Sequence, residues 1–375
     1  MPQLTKAGFE SYTTRASKLA SNTPDRRPLL TASEPIARAI HVLAERRDLD
    51  ATLAEEAFGQ LMAGQATPAQ MAALLMGLRT KGETASEIVG AVRALRAAMV
   101  RLDVTGAGLV DTCGTGGGTV RTFNISTAAA MVAAGAGARV AKHGNRSFTT
   151  QSGSADVLEA LGVVLPPDAP AAARMLAAAG MTFMFAPAFH PAMRHVGPVR
   201  RELAIHTLMN VLGPLANPAG VRRQVVGVAD PARGPLLAEA LLALGCERGF
   251  VVHARAGMDE VSPMGPTEVW EARDGAVRAW TLDPGRWALP RGDLSDLAGG
   301  SPADNARIVA AIVGNEEQGV ARAAVIVNAA AALVAAGAVG GWREGVEAAV
   351  EAIESGRARS VLDRLVASSR ANTSE

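Results

Sequence analysis

From Asp103 onward the chain alternates short apolar runs with helical patterns, and that alternation leaves few architectures open. Gly108-Leu109-Val110-Asp111-Thr112-Cys113 reads as a short buried strand, as do Ala138–Lys142, Met181–Phe185, Gln224–Val228 and Gly249–His253. Helical patterns lie between most of them, at Ile125–Gly135, Ala169–Ala179 and Pro235–Leu244. Strands linked through helices over short connections predict α/β architecture, a mostly parallel central sheet with helices packed on it. Glu268-Val269-Trp270-Glu271 and Ala276–Leu282 flank Asp274-Gly275, a hairpin signal. The C-terminal third is helical in pattern, at Asp304–Ile312, Val320–Ala336, Trp342–Ser355 and Ala358–Val366. Ahead of the alternation, Pro35–Arg46, Ala51–Ala63, Pro68–Thr80 and Ala85–Leu95 repeat apolar residues at spacings of three and four. Thr67-Pro68 and Thr84-Ala85-Ser86-Glu87 are helix starts, so these four form a small helical domain.

A length of 375 residues exceeds one ordinary core and supports two packed domains. A net charge of +1 demands neither nucleic acid nor an anionic membrane as partner. One tyrosine and 3% aromatics leave few platforms for base stacking. Cys113 and Cys246 make no disulfide framework and no CxxC zinc site, so a reducing, cytoplasmic setting is expected. Met1–Leu30 lacks the apolar stretch of a signal peptide and reads as a flexible extension. Ala323–Trp342 is long enough to span a membrane, but it is mostly Ala and Gly with Asn328 inside, and a buried helix is expected.

The residues that can carry chemistry cluster after the predicted strands. Gly114-Thr115-Gly116-Gly117-Gly118 follows the first; a glycine turn lets backbone N–H groups converge on an anion, and it is equally the sequence of a tight turn. Asn124-Ile125-Ser126-Thr127 opens the next helix, whose positive end adds to such a site. Capping needs one of these polar side chains, and three in four positions leave others for a ligand or metal. Lys142-His143-Gly144-Asn145-Arg146 ends a strand, where open α/β sheets bind ligands. A solvated basic turn explains the same residues equally well. Ser152-Gly153-Ser154 begins a helix closed by Gly162, with Thr149 and Thr150 on the loop before it. Arg200 lies on a helical pattern from His190 to Leu203, and Arg suits a two-pronged grip on a carboxylate. Asn210-Val211-Leu212-Gly213-Pro214-Leu215-Ala216-Asn217-Pro218 breaks the following helix. Asp259-Glu260 on a loop after a strand can hold Mg2+, or be an acidic turn. There is no GxSxG, no HExxH and no kinase set.

Together these motifs resemble the anthranilate phosphoribosyltransferase family. The resemblance runs from Pro35 to Val366 and is densest at Asp111–Thr127, Lys142–Leu165 and Phe189–Gly220. KHGNR followed by SGSADVLEALG, and NVLGPLANPAG, are its specific parts. It implies transfer of the phosphoribosyl group of phosphoribosyl pyrophosphate to the amine of anthranilate, on the way to tryptophan. It also implies a nucleoside phosphorylase/phosphoribosyltransferase-like fold with the site in the interdomain cleft, and a homodimer formed through the helical domain. The helical domain is then expected at 33–102 with a returning segment at about 195–215. The α/β domain takes 103–194 and 216–368, between an extension at 1–32 and a frayed tail at 369–375.

By the same resemblance, Gly114, Thr115, Gly116 and Gly117 would hold pyrophosphate. Thr122, Asn124, Ser126, Thr127, Lys142 and Ser154 would complete the donor site. Ser126 would touch one Mg2+, and Asp259 with Glu260 a second. Gly114, His143, Asn145, His190, Arg200, Gly213 and Pro214 would receive anthranilate. No covalent nucleophile is expected, because the neutral amine attacks unaided. The rival readings are a nucleic-acid-binding sibling of the same fold, a pyrimidine nucleoside phosphorylase and a structural protein.

The chain departs from the family at His206, where Arg is usual before Thr207, and at Gly118, where the glycine loop usually ends in Asp. Backbone donors survive the second change, but one carboxylate beside the metal is lost. Gly118→Asp is therefore predicted to shift the Mg2+ optimum of activity; an unchanged magnesium titration curve would count against this.

Overall fold

The computed structural model describes residues 34–104, 108–118, 120–147 and 152–371. The expected extension at 1–32, the hydroxyls of Thr149 and Thr150, and positions 372–375 of the expected tail lie outside them.

Four helices come first: α1 (Pro35–Ala44), α2 (Ala51–Met62), α3 (Pro68–Lys81) and α4 (Ala85–Ala97). Asp50 caps α2 by accepting from Leu53 N at 2.8 Å, while Thr67 with Gln70 and Thr84 with Glu87 form capping boxes on α3 and α4. Gly90 lets α4 meet α2 almost backbone to backbone, since a Cβ there would lie 2.4 Å from the Ala51 carbonyl oxygen. Glu87 is 0% exposed and accepts from Leu49 N and Thr84 N, each at 2.9 Å, and from Lys81 Nζ at 3.1 Å.

The strands that follow are β1 (Leu109–Gly114), β2 (Arg139–Gly144), β3 (Met181–Phe185), β4 (Arg223–Gly227), β5 (Arg248–Ala254), β6 (Thr267–Arg273) and β7 (Ala276–Leu282). They form one sheet in the order β3-β2-β1-β4-β5-β6-β7. Pairing is parallel from β3 to β5 and antiparallel through the β6–β7 hairpin. α5 (Ile125–Gly135) and α6 (Ser154–Ala160) follow β1 and β2, and α7 (Ala169–Ala179) precedes β3. α8 (Gly197–Leu203) and α9 (Met209–Leu215) come before β4, and α10 (Gly234–Ala243) before β5. α11 (Pro302–Val313), α12 (Val320–Ala336), α13 (Trp342–Glu354) and α14 (Arg357–Ala371) end the chain.

Side chains alternate across the sheet as the pleat requires. Val225 and Val252 enter the core built with α5 and α12. Val226 and Val251 enter the core that α10 shares with α1–α4. Val196, Val199, Leu208, Met209 and Leu212 bury themselves in that second core too, so α8 and α9 lie with the helical layer. Every residue of α12 is buried, including Asn328, and no helix of the described residues is long and apolar enough to cross a membrane.

Of three local expectations, two need correction. The helix expected over His190–Leu203 is interrupted: a 3-10 turn, Pro191–His195, precedes α8, because Pro191 and Gly197-Pro198 punctuate the run. Asn210–Pro218 ends its helix as expected. α9 runs through Pro214 to Leu215, since a proline in the last turn removes a single hydrogen bond. Residues 369–371 are not frayed: α14 continues to Ala371, and the buried Ser369 Oγ accepts from Val164 N at 3.0 Å.

Glu87→Ala would strand the buried Leu49 N–H, while Lys81 would keep Asp48 and the Gly82 carbonyl as partners. A loss of about 1 to 3 kcal/mol is predicted, the cost of a buried unsatisfied donor, with Glu87→Gln losing less. Urea unfolding of both variants checks this; equal, small losses would contradict it.

Candidate active site

The carboxyl ends of β1, β2, β4 and β5 face the helical layer across a cavity of about 890 Å3, lined from the far side by Leu95 of α4 and Met209 of α9. β1 runs into the glycine loop, where Thr115 N donates to the Gly227 carbonyl at 2.8 Å. Gly116 and Gly117 adopt φ of +67° and +82°, conformations that glycine takes without strain. Gly114 is required for a second reason: a Cβ there would stand 2.6 Å from Asp259 Oδ2.

Asp259 and Glu260 thus lie against a loop from far earlier in the chain. Gly227 makes room, since its Cβ would overlap the Asp259 carbonyl oxygen at 1.6 Å. Asn328, the one polar side chain in the middle of α12, fixes the loop: its Oδ1 accepts from Val261 N at 3.0 Å and its Nδ2 donates to Val261 O at 2.8 Å. Thr122 Oγ1 donates to Glu260 Oε1 at 3.3 Å, while Glu260 Oε2 is buried without a hydrogen-bond partner among the described residues. Burial, and then the adjacent Asp259, hold the Glu260 carboxyl well above the usual carboxylate range. Burial raises Asp259 as well, offset by hydrogen bonds from its own and the Gly116 backbone.

This pair fits a divalent cation. Among the described residues no three His, Cys, Asp or Glu side chains gather on one point. An ion here would therefore rest on the two carboxylates and on ligand oxygens, the manner in which Mg2+ is commonly held. The orphaned Glu260 Oε2 is the atom such an ion would satisfy.

Lys142, 2% exposed, reaches under the loop from β2. Its Nζ donates to the Thr112 carbonyl, to Thr112 Oγ1 at 3.4 Å and to Ser126 Oγ at 3.2 Å. Burial lowers its pKa, opposed by Cys113, Asp111 and Glu260. Asp111 is fully buried and pushed up to about 6, first by burial, with Lys142 and Asn217 pulling the other way. It accepts from His143 N at 3.2 Å and from Asn217 Nδ2 at 2.8 Å. Burial also pushes the Cys113 thiol up to about 12, which makes it a poor nucleophile.

The other end of the cavity is mostly apolar. His143 Nδ1 lies 3.1 Å from the Gly213 carbonyl, which fixes the tautomer with the proton on Nδ1 and leaves Nε2 a buried acceptor without partner among the described residues. His190 stands against it with ring centroids 4.9 Å apart, and neither of its nitrogens has a hydrogen-bond partner among the described residues. Burial lowers the two imidazoles to about 3 and about 4, so both are neutral near pH 7. Burial likewise lowers the pKa of Arg200, whose guanidinium has no polar partner among the described residues. Pro214 O accepts from Gln224 Nε2 at 3.0 Å, anchoring the end of α9 to β4.

Gly114, Thr115, Gly116, Gly117, Thr122, Asn124, Ser126, Lys142 and Ser154 line the one cavity, as do His143, Asn145, His190, Arg200, Gly213, Pro214, Asp259 and Glu260. Thr127 does not: it is fully buried on the inward side of α5. Asn124 makes no capping bond; its Oδ1 accepts from Asn305 Nδ2 at 2.9 Å. Arg146 also lines the cavity, with its guanidinium paired to Asp156 at 2.9 Å and to Glu159. Sequence reasoning missed Asp111, Asn217 and Asn328 as the groups that hold the site. A lone polar residue inside an apolar strand or helix was the signal available for two of them.

Comparison with known proteins agrees with this architecture. A family model described as "Glycosyl transferase family, a/b domain" matches residues 106–359, and its "helical bundle domain" matches residues 37–99. The chain is 49% identical over 339 residues to the anthranilate phosphoribosyltransferase of Roseiflexus castenholzii, covering 90% of this chain and 99% of that one. The crystal structure of anthranilate phosphoribosyltransferase from Thermus thermophilus is similar with a TM-score of 0.83 at 42% identity, over 88% of this chain and 99% of that one. The Saccharomyces cerevisiae enzyme in complex with PRPP and Mg has a TM-score of 0.83 at 28% identity, over 90% of this chain and 99% of that one. With its helical layer, its mostly parallel sheet and near half-identity along nine-tenths of its length, the chain belongs to the anthranilate phosphoribosyltransferase family.

Proposed function

We propose that this cavity transfers the phosphoribosyl group of 5-phosphoribosyl 1-pyrophosphate to the amine of anthranilate, giving N-(5-phosphoribosyl)anthranilate and pyrophosphate in tryptophan biosynthesis. The observation that carries the reading is the division of one cavity. A glycine loop with buried Lys142 and the Asp259-Glu260 pair lies at one end, and unpartnered Arg200 with two neutral histidines lies at the other. The first suits a metal-bound pyrophosphate, the second a flat aromatic carboxylate. Relatives matched along 90% of the chain favour neither a nucleic-acid-binding sibling nor a nucleoside phosphorylase.

In this reading the backbone of Gly114–Gly117, with Thr115, Thr122, Asn124 and Ser154, binds the donor. Thr127 supports this wall from beneath. Lys142 stabilises the departing pyrophosphate, whose charge grows as the C1′–O bond breaks. Arg200 takes the anthranilate carboxylate, Asn145 meets the ring substituents, and His143, His190, Gly213 and Pro214 line the acceptor's path. The amine lone pair attacks C1′, the bonding electrons leave with pyrophosphate, and the cationic nitrogen then releases one N–H proton to water or to the departing pyrophosphate. A neutral aromatic amine needs no strong base beforehand, so no covalent nucleophile is assigned. Mg2+, when bound, offsets the leaving group's charge; Ser126 would hold one ion and Asp259 with Glu260 a second. Orientation of donor and acceptor in a water-poor cleft supplies the rest.

The same reading includes a homodimer formed through the helical layer, supported by the resemblance and by Met76 standing exposed on α3. It places the protein in the cytoplasm, in keeping with two free thiols.

Purified protein with Mg2+ and phosphoribosyl pyrophosphate should deplete anthranilate fluorescence only when every component is present. Arg200→Ala should lower kcat/KM for anthranilate roughly 10- to 100-fold, as loss of a charge-assisted hydrogen-bond pair entails. No depletion by folded protein would overturn the reading.

A further inference from the structure

His206 lies in the short connection between α8 and α9, on the wall that belongs to the helical layer. Its ring reaches across the mouth of the cavity to the glycine loop. A Cβ built on Gly117 would be 2.3 Å from His206 Cε1 and 3.2 Å from each of Nδ1 and Nε2. The imidazole therefore presents its N–C–N edge to Gly117, with both nitrogens flanking the loop. Gly117 is doubly constrained, by a φ of +82° and by this ring. The side chain is exposed at the cavity mouth, and no hydrogen bond or ion pair holds it among the described residues. Helix packing does not account for a ring placed so, since it touches a backbone anion cradle rather than an apolar surface.

We propose that His206 is a further donor-binding residue: its imidazole N–H hydrogen-bonds the diphosphate held by the glycine loop. This rests on the donor reading above. An imidazole always carries at least one N–H, and both of its nitrogens stand beside the loop, so a donor is available in either tautomer. The consequence is a bond between the two walls. Val199, Leu208 and Met209 root the His206 segment in the helical layer, whereas Gly117 belongs to the sheet. Diphosphate bound by both would tie the walls together before the acceptor enters. Arg200, on the same segment, would be drawn into place with it.

The test separates hydrogen bonding from packing. His206→Phe keeps a flat ring against Gly117 and removes both nitrogens; His206→Ala removes both features; His206→Arg and His206→Gln restore a donor. We expect Phe and Ala each to raise KM for phosphoribosyl pyrophosphate roughly tenfold, the effect of losing one hydrogen bond to a charged group, with KM for anthranilate within about twofold. Arg or Gln should recover most of that loss. A second readout needs no turnover: the melting-temperature rise with inorganic pyrophosphate and Mg2+ should shrink in Phe and Ala and return in Arg. A Phe variant indistinguishable from wild type in both readouts overturns the proposal, as does a change confined to KM for anthranilate. Wild-type protein that fails to turn over would instead sink the assigned reaction, while the pyrophosphate measurement still judges His206.

Discussion

A carboxylate oxygen without a partner, buried beside a second carboxylate and near a buried ammonium, is costly to keep in a protein interior. Glu260 Oε2 and Lys142 Nζ are held so at the ends of β1, β2 and β4. Desolvation opposes the charge on each, and the Asp259–Glu260 repulsion adds to it. Such a cluster persists because neighbouring groups hold it rigidly. Asn328 locks the acidic loop to α12, Thr112 and Ser126 hold the lysine, and Asn217 with the His143 backbone holds Asp111. The complete burial of α12 and the close approach of α4 to α2 through Gly90 provide the framework behind these contacts.

The same arrangement explains why the two ends of the cavity differ. At the sheet end, glycines replace side chains, so the backbone and the two carboxylates face the cavity. At the helical end, neutral histidines and the half-buried Arg200 guanidinium sit among apolar side chains, with the exposed Arg194 and Arg201 on the same lining. Burial keeps His143 neutral, so positive charge for a carboxylate there comes from arginine, with Arg200 less exposed than Arg194 and Arg201.

Periodicity and punctuation made the frame legible. Ile125–Gly135, Ala169–Ala179, Met181–Phe185 and Val320–Ala336 fall where their patterns place them, because short strands and capped helices carry their boundaries locally. The cavity's lining was legible for a different reason: its residues sit in glycine- and proline-rich loops after strands. What sequence could not show were contacts across long separations. Asn217 meets Asp111 across 106 positions, and Asn328 meets Val261 across 67. Nor could it decide orientation within a single turn. Ser126 and Thr127 are neighbours, yet about 100° of helical rotation puts one in the cavity and the other in the core. Arg146, adjacent to Asn145, is claimed by Asp156 and Glu159 on α6, a pairing that the motif alone does not reveal.

In the proposed reading, the buried acidic pair is destabilising until a cation and its phosphate ligand bind it. Melting of Glu260→Gln against wild type, with and without phosphoribosyl pyrophosphate and Mg2+, tests this directly. The expected variant melts higher than wild type when unliganded, because a carboxyl whose ionisation is opposed by burial and by Asp259 is gone, and loses the further rise on adding both ligands. An unliganded variant that melts lower, with its ligand-induced rise intact, would contradict it.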